Sequence, residues 1–201
     1  MTPRGAFVAF EGIDGCGKTT QARRVAEETG AIFTFEPGDT PLGASLRAAV
    51  LDAAVDLDAT SELFVMAADR AQHVAQVIEP ALAGGRDVVC DRYSGSTLAY
   101  QGYGRGLDLA AIRSVLDVAT RGLEPDLTIL LDCPVAVARA RRGHRATASD
   151  RFESDDAFSE RVRAGFLELA TAAGSWVVID AAGPLADVAK AVDALVARSE
   201  R

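Results

Sequence analysis

Asparagine is absent from the 201 residues, and only two of the 21 basic residues are lysines, Lys18 and Lys190. Without asparagine the chain lacks the Asn-Lys-x-Asp signature with which switch GTPases select guanine. Cysteine is scarce as well, since Cys16, Cys90 and Cys133 are far apart and form no CxxC pair. This spacing gives no zinc or thioredoxin-like motif, and the odd count is typical of a reduced compartment.

Long apolar runs and an excess of positive charge are missing too. No apolar run approaches the roughly 20 residues that span a bilayer, and no signal-peptide pattern precedes the first apolar run. The net charge of −8 argues against bulk attraction to nucleic acid or to an anionic membrane. We expect a cytoplasmic protein without such partners, folded as a single domain over residues 1–201.

Short apolar runs alternate with helical patterns along the chain. The runs predict strands over residues 6–10, 31–34, 87–91, 126–132 and 175–180. The helical patterns cover residues 18–29, 42–51, 61–82, 109–120, 135–142, 155–172 and 185–198. This alternation predicts an α/β fold in which helices cover both faces of a parallel sheet. Ligands of such sheets bind at the carboxyl ends of the strands.

A glycine-rich stretch, "EGIDGCGKTT" at residues 11–20, lies between the first strand and the first helix. Its Gly-x-x-x-x-Gly-Lys-Thr spacing matches the P-loop, in which backbone N–H groups converge on a phosphate at a helix N-terminus. We expect Lys18 to reach the β- and γ-phosphates and the Thr19 hydroxyl to bind Mg²⁺. The plain alternative is a glycine-rich turn beside a surface lysine. The predicted ATP site comprises Gly12, Ile13, Asp14, Gly15, Cys16, Gly17, Lys18, Thr19 and Thr20.

Two arginines are candidates for a second, acceptor substrate. Arg70 lies in "AADRAQHV" at residues 67–74, on the long helix, where its planar guanidinium could clamp a phosphate. Arg92 follows a strand end in "DRYSGSTLAYQGYGRGL" at residues 91–107 and could bridge donor and acceptor phosphates during transfer. The alternatives are a surface helix arginine and an Asp-Arg pair that merely ends a strand.

Together with "FEGIDGCGKTTQ" at residues 10–21, these stretches resemble the thymidylate kinase family. "EPGDTPLG" at residues 36–43 is an imperfect match, and the resemblance extends over about residues 6–169. It implies a P-loop NTPase fold with a small lid, and phosphorylation of dTMP by ATP and Mg²⁺ in dTTP synthesis. It also implies a homodimer.

The resemblance assigns roles to single side chains. Asp91 is expected in the Mg²⁺ shell, Thr97 and Gln101 against thymine, and Tyr100 beneath the sugar, where it disfavours a 2′-hydroxyl. Asp14 is expected near the 3′-hydroxyl of the acceptor. Glu11 and Glu36 could add to a polar floor there, whereas His73 is expected only to pack its helix.

Three positions depart from the family pattern. Phe35 stands in place of an arginine, Asp39 in place of a glycine, and Met66 in place of a phenylalanine that stacks on thymine. The first two changes should weaken binding of a dianionic monophosphate unless Arg47 or another group compensates. Met66 lies four residues before Arg70 and therefore shares its helix face. Phe64 should point to a different face.

An arginine-rich segment at about residues 142–153 is the predicted lid. The P-loop holds no arginine, and in this family that absence favours a catalytic arginine on the lid, with Arg142, Arg145 and Arg151 as candidates. Glu153 is expected to orient the lid or the waters of the metal. The alternative is a solvated, charged helix end.

The catalytic candidates are Lys18, Asp91, Arg92, Arg142, Arg145 and Arg151. The substrate-binding candidates are Asp14, Glu36, Met66, Arg70, Arg92, Thr97, Tyr100 and Gln101, and the metal candidates are Thr19, Asp91 and Glu153. Two other functions stay open at this point. One is a kinase for another deoxynucleotide or a deoxynucleoside, and the other is a nucleotide-binding protein without catalysis.

Overall fold

A five-stranded parallel sheet forms the centre of the computed structural model, which describes residues 3–52, 54–143 and 156–199. The strands are β1 (Phe7–Glu11), β2 (Ile32–Phe35), β3 (Val88–Asp91), β4 (Leu127–Asp132) and β5 (Trp176–Asp180). Their order is β2-β3-β1-β4-β5, and every neighbouring pair is parallel. The prediction of a parallel α/β sheet is therefore confirmed.

Helices connect the strands. They are α1 (Lys18–Thr29), α2 (Pro41–Leu51), α3 (Ala59–His73), α4 (Glu79–Ala83), α5 (Ser94–Thr97), α6 (Leu109–Thr120), α7 (Val135–Arg142), α8 (Asp156–Ala172) and α9 (Leu185–Ser199). The helix predicted over residues 61–82 is interrupted by a π-helical turn, Val74–Ile78, between α3 and α4. Proline at position 80 explains the interruption, because its missing N–H and its ring disturb the regular ladder.

The sequence analysis assigned no helix to residues 94–104, but α5 continues there into a π-helical segment, Leu98–Gly104. A carboxylate on β1 supports this helix from outside it. Glu11 accepts hydrogen bonds from the backbone N–H groups of Tyr93 and Ser96, at 3.0 and 2.8 Å, and from the Ser96 hydroxyl at 2.6 Å. Burial raises the pKa of Glu11. Glu11, on β1, therefore caps the start of α5. It is absent from the walls of the two cavities described below.

Two apolar clusters cover the two faces of the sheet. Side chains of β1 alternate between them, since Val8 and Phe10 belong to the larger cluster and Phe7 and Ala9 to the smaller. This burial on both faces is why the central strands are almost wholly apolar. No helix in the described ranges is both long and apolar enough to cross a bilayer.

Candidate active site

The glycine-rich loop after β1 curls beneath the N-terminus of α1. Gly15 and Gly17 adopt φ angles of 89° and 101°, which residues with a side chain rarely adopt. Lys18, the first residue of α1, is 5% exposed, and its Nζ donates a hydrogen bond of 2.9 Å to the Ile13 carbonyl. Lysine and loop amides thus face the same concavity, as an anion site requires.

A hydroxyl and a carboxylate meet beside this loop. Thr19 Oγ1 lies 2.5 Å from Oδ2 of Asp91, the last residue of β3. The other carboxylate oxygen, Asp91 Oδ1, is buried and has no hydrogen-bond partner among the described residues. An unpartnered buried carboxylate oxygen beside a hydroxyl is a donor set that suits Mg²⁺, which prefers oxygen ligands. Thr19 and Asp91, two of the three residues predicted for the metal, therefore fit it.

An open cavity of about 1000 Å³ extends from the glycine-rich loop. Its wall includes most of the predicted ATP-binding residues, namely Asp14, Gly15, Cys16, Gly17, Lys18, Thr19 and Thr20. Gly12 and Ile13 are absent from this wall. The backbone of Gly12 lies against β4, where an added Cβ would be 2.5 Å from the Leu131 carbonyl oxygen, and the Ile13 side chain is buried in the core.

The far wall of the large cavity is built by the end of α7 and the chain after β5. Arg142 lines it, as does Arg141, which the sequence analysis did not select. Arg141 donates hydrogen bonds to the carbonyls of Ala181, Ala182 and Gly183, so it fixes the loop that completes this wall. The remaining lid candidates, Arg145, Arg151 and Glu153, lie outside the described residues.

A second, smaller cavity of about 100 Å³ lies beside the first. The structure places all eight predicted substrate-binding side chains around it, namely Asp14, Glu36, Met66, Arg70, Arg92, Thr97, Tyr100 and Gln101. Four residues line both cavities: Asp14, Glu36, Arg47 and Arg92. A ligand in one cavity would therefore meet a ligand in the other across this shared wall.

Arg70 is held rigidly at the small cavity. It is 3% exposed, and it donates to Glu36 Oε2 at 2.7 Å, to Thr97 Oγ1 at 2.8 Å and to the Tyr93 carbonyl at 2.9 Å. Burial by itself would raise the pKa of Glu36, but the charge of Arg70 and a hydrogen bond from His73 lower it. Three of the five guanidinium N–H groups are thus engaged, and two are left for a ligand.

His73 does more than pack its helix, contrary to the expectation from sequence. Its Nδ1 lies 2.8 Å from Glu36 Oε1, and its Nε2 lies 2.5 Å from Thr34 Oγ1. The Thr34 hydroxyl donates its only proton to the Asp39 carboxylate. The ring of His73 therefore links Glu36 to Thr34 and, through the Thr34 hydroxyl, to Asp39. Asp39, one of the departures, is therefore tied into the support beneath Arg70.

Arg92 stands at the boundary of the two cavities. It follows β3 with φ at 75°, a left-handed conformation that is costly for a side-chain-bearing residue. Its guanidinium donates to Asp14 at 2.6 Å, to the Ser96 hydroxyl at 2.8 Å and to the Tyr100 hydroxyl at 3.1 Å. Burial opposes ionisation of Asp14, but the charges of Arg92 and Lys18 hold the pKa of Asp14 well below its usual value.

The other departures also lie at this wall. The guanidinium carbon of Arg47 lies 5.9 Å from the centre of the Phe35 ring, and Arg47 Nη1 donates to the Pro37 carbonyl at 2.7 Å. Arg47 lines both cavities, so it supplies a cation where Phe35 replaces the expected arginine. Met66 lines the small cavity, and Phe64 is 57% exposed, which confirms that it faces elsewhere.

Two acidic residues of the site were missed by sequence reasoning. Asp69 lines the small cavity and accepts a hydrogen bond of 3.0 Å from the Gly38 N–H. Glu62 is fully buried and binds Gln101 and Arg105. A signal existed for Asp69, which precedes Arg70 inside "AADR". None existed for Glu62, because its partners are 39 and 43 positions away.

Comparisons with known proteins agree with this geometry. A sequence profile of the family described as Thymidylate kinase matches residues 10–192. The chain is 46% identical to a thymidylate kinase of Synechococcus sp. (strain CC9311), over 97% of both chains. It is 51% identical to one of Geobacter sulfurreducens, over 83% of this chain and 84% of the relative.

A solved structure is similar as well. The crystal structure of thymidylate kinase from Ehrlichia chaffeensis superimposes with a TM-score of 0.79 at 33% identity, over 96% of this chain and 99% of that one. The P-loop NTPase fold is thereby confirmed. The profile match and the identities agree with the two adjoining cavities, and the chain belongs to the thymidylate kinase family.

Proposed function

We propose that this chain transfers the γ-phosphoryl group of ATP to dTMP and so produces dTDP for dTTP synthesis. The observation that carries the proposal is the position of Arg92, which lies in the wall shared by the loop-side cavity and the small cavity. A nucleotide in each cavity would bring its phosphates to the same guanidinium. Phosphoryl transfer depends mainly on such positioning of the two nucleotides and on the neutralisation of charge.

ATP occupies the large cavity, with its phosphates against the amides of the glycine-rich loop and Lys18. The buried position of Lys18 at the N-terminus of α1 supports this assignment, because charge and helix dipole act together there. Arg142, at the end of α7, faces the same cavity and is positioned to neutralise charge on the donor. Arg145, Arg151 and Glu153 remain predictions for the lid.

The acceptor occupies the small cavity. Thr97 and Gln101 face the base, Tyr100 lies beneath the sugar, and Arg70 and Arg92 supply positive charge. The anchoring of Arg70 by Glu36 supports this assignment, because a guanidinium that is already positioned loses little entropy when ligand binds. Asp14, hydrogen bonded to Arg92 and Tyr100, offers its carboxylate to a sugar hydroxyl.

Transfer then proceeds by attack of an acceptor phosphate oxygen on the γ-phosphorus, with release of ADP. As negative charge spreads over the transferred group, Arg92 stabilises it from the shared wall. Nothing in this scheme requires a covalent intermediate on the protein, so catalysis consists of positioning and charge neutralisation.

Thr19 and Asp91 would hold Mg²⁺, since they offer a hydroxyl and an unpartnered carboxylate oxygen. When bound, the ion would neutralise charge on the β- and γ-phosphates. Replacement of Asp91 with asparagine should raise the Mg²⁺ concentration needed for half-maximal rate, whereas an unchanged Mg²⁺ dependence would reject this ligand.

We also propose a homodimer in the cytoplasm. Two large apolar side chains support the dimer, since Phe64 on α3 is 57% exposed and Val118 on α6 is 81% exposed. The helices α3 and α6 contact each other, so both side chains belong to one helical layer. Light scattering of the purified chain tests the dimer, and a Phe64→Glu change should shift a dimer toward monomer.

A coupled ADP-release assay with ATP and Mg²⁺ tests the activity. Wild-type protein is given dTMP, dUMP, dCMP or thymidine, and dTMP should be turned over fastest. Absence of dTMP turnover, with turnover of another acceptor, would reject the proposal in favour of a different kinase. If ATP binds but Arg92→Ala leaves every measured rate unchanged, a binding protein without catalysis is the better interpretation.

A further inference from the structure

Gln101 faces the small cavity through an amide whose two ends have opposite hydrogen-bonding character. Its Nε2 donates a hydrogen bond of 2.8 Å to Glu62 Oε1. Within the described part of the chain, its Oε1 accepts no side-chain or backbone hydrogen bond. Since Gln101 belongs to the cavity wall, the oxygen is the end left for a ligand.

Glu62 determines which end that is. Its side chain is 1% exposed, and it accepts hydrogen bonds from Arg105 Nη2 at 3.0 Å and from Arg105 Nε at 3.3 Å. Both oxygens of Glu62 therefore act as acceptors, one toward Gln101 and Arg105 and the other toward Arg105. Rotation of the Gln101 amide by 180° would bring its oxygen against a carboxylate oxygen and leave two buried acceptors without a proton between them.

The orientation of this amide decides which pyrimidine fits. Thymine and uracil carry a proton on N3, which an amide oxygen accepts. Cytosine has an unprotonated N3, which would face that oxygen and repel it. An amide free to rotate would serve either base, because its NH₂ group matches cytosine as well as its oxygen matches thymine.

We propose that Glu62 is a positioning residue for acceptor specificity, which holds the Gln101 amide with its oxygen toward the base and so excludes cytosine. Glu62 does not touch the substrate. The inference rests on the proposed function, since it assigns the small cavity to the acceptor base. Rejection of a ligand by an unpaired buried polar group is stronger than rejection by shape alone.

The test compares kcat/KM for dTMP, dUMP and dCMP in wild-type protein and in a Glu62→Gln variant. The new amide can donate as well as accept, so Gln101 is free to rotate. The dTMP to dCMP ratio should fall by about tenfold or more, the size expected for one mispaired hydrogen bond. The dTMP to dUMP ratio should stay the same, because both bases carry the N3 proton. Most of the change should lie in KM rather than in kcat.

Two further variants distinguish a change in the orientation of the Gln101 amide from general damage to the protein. Glu79→Gln removes the surface pair of Glu79 with Arg121, 2.9 Å long, and should leave both ratios unchanged. The exchanged variant E62Q/Q101E again places an acceptor toward the base, because the amide introduced at position 62 now donates to the carboxylate introduced at position 101. It should recover the preference for dTMP. This variant also decides the matter if E62Q does not fold.

The outcomes are distinct. An unchanged dTMP to dCMP ratio in E62Q overturns the inference. An equal fall in the dTMP to dCMP ratio and the dTMP to dUMP ratio also overturns it, because it indicates a pocket that has lost its fit to every base. Loss of dTMP preference in a folded exchanged variant overturns it too. Failure of the wild-type protein to phosphorylate dTMP is a failure of the proposed function, and it is detected before any variant is made.

Discussion

Asp69 should destabilise the folded protein at neutral pH, and its replacement by asparagine should reveal by how much. The side chain is 1% exposed, between α2 and the small cavity, and the carboxylate of Glu36 acts on it as a like charge. Burial first, and then the charge of Glu36, raise the pKa of Asp69 from 3.8 to about 6. Asparagine keeps the oxygen that accepts the Gly38 N–H and removes the charge.

The direction of the effect follows from proton binding. Below pH 3.8 the carboxyl of Asp69 is protonated in both the folded and the unfolded protein, and it therefore does not lower the free energy of unfolding. Between pH 3.8 and about 6 the folded protein keeps a proton that the unfolded chain has lost, so stability falls as the pH rises. Above this window the full penalty is present. A difference of about two pKa units corresponds to about 3 kcal/mol, an upper value because side chains relax.

The assay is urea unfolding of ligand-free protein, followed by circular dichroism, at pH values between 4 and 8. Asp69→Asn should be nearly neutral at pH 4 and should stabilise the protein by about 2–3 kcal/mol at pH 8. Asp56→Asn, at an exposed position before α3, is the control and should show no such dependence. A gain that is equal at all pH values, or a loss at pH 8, would refute the assignment of the penalty to the Asp69 charge.

Three further outcomes are expected. Arg92→Lys loses the fork that reaches two groups at once, so kcat should fall about 100-fold in steady-state assays; a change within twofold contradicts the role. Gly17→Ala should lower the free energy of unfolding, measured with urea, by about 1–2 kcal/mol. Backbone strain is the whole cause, because the added Cβ would meet no atom within 4 Å. Gly15→Ala should lower the free energy of unfolding further, because its Cβ would lie 2.4 Å from a carbonyl oxygen of α7. Equal losses of stability in the two variants would contradict this.

The elements that sequence reasoning found have local causes. Helix α1 ends where expected because Gly30 takes up a φ of 73°, and α6 begins where expected because Asp108 caps the N–H of Ala111 at 3.0 Å. The glycine-rich loop could also be predicted from sequence, because its backbone conformation requires glycine at fixed spacings. Such features involve neighbours in sequence, and a single chain displays them.

The parts that were missed depend on distant partners. Helix α5 and the π-helical segment after it contain glycine and serine in place of strong helix formers, and Glu11, more than 80 positions away, caps them. His73 gains its role from Thr34 and Glu36, at separations of 39 and 37 positions. Local propensity contains no information about these contacts, because the tertiary fold creates them.

Because of the π-helical segment, binding of the acceptor depends on the number of residues between Leu98 and Gly104 as well as on their side chains. Its wide turn, closed by a hydrogen bond of 2.9 Å from the Arg105 N–H to the Tyr100 carbonyl, allows both Tyr100 and Gln101 to reach one cavity. Removal of one residue just before Gln101 would rotate its side chain around the helix axis and out of register with Tyr100. Across the descendants of a common ancestor, this segment should therefore tolerate exchanges of side chain far more readily than insertions or deletions.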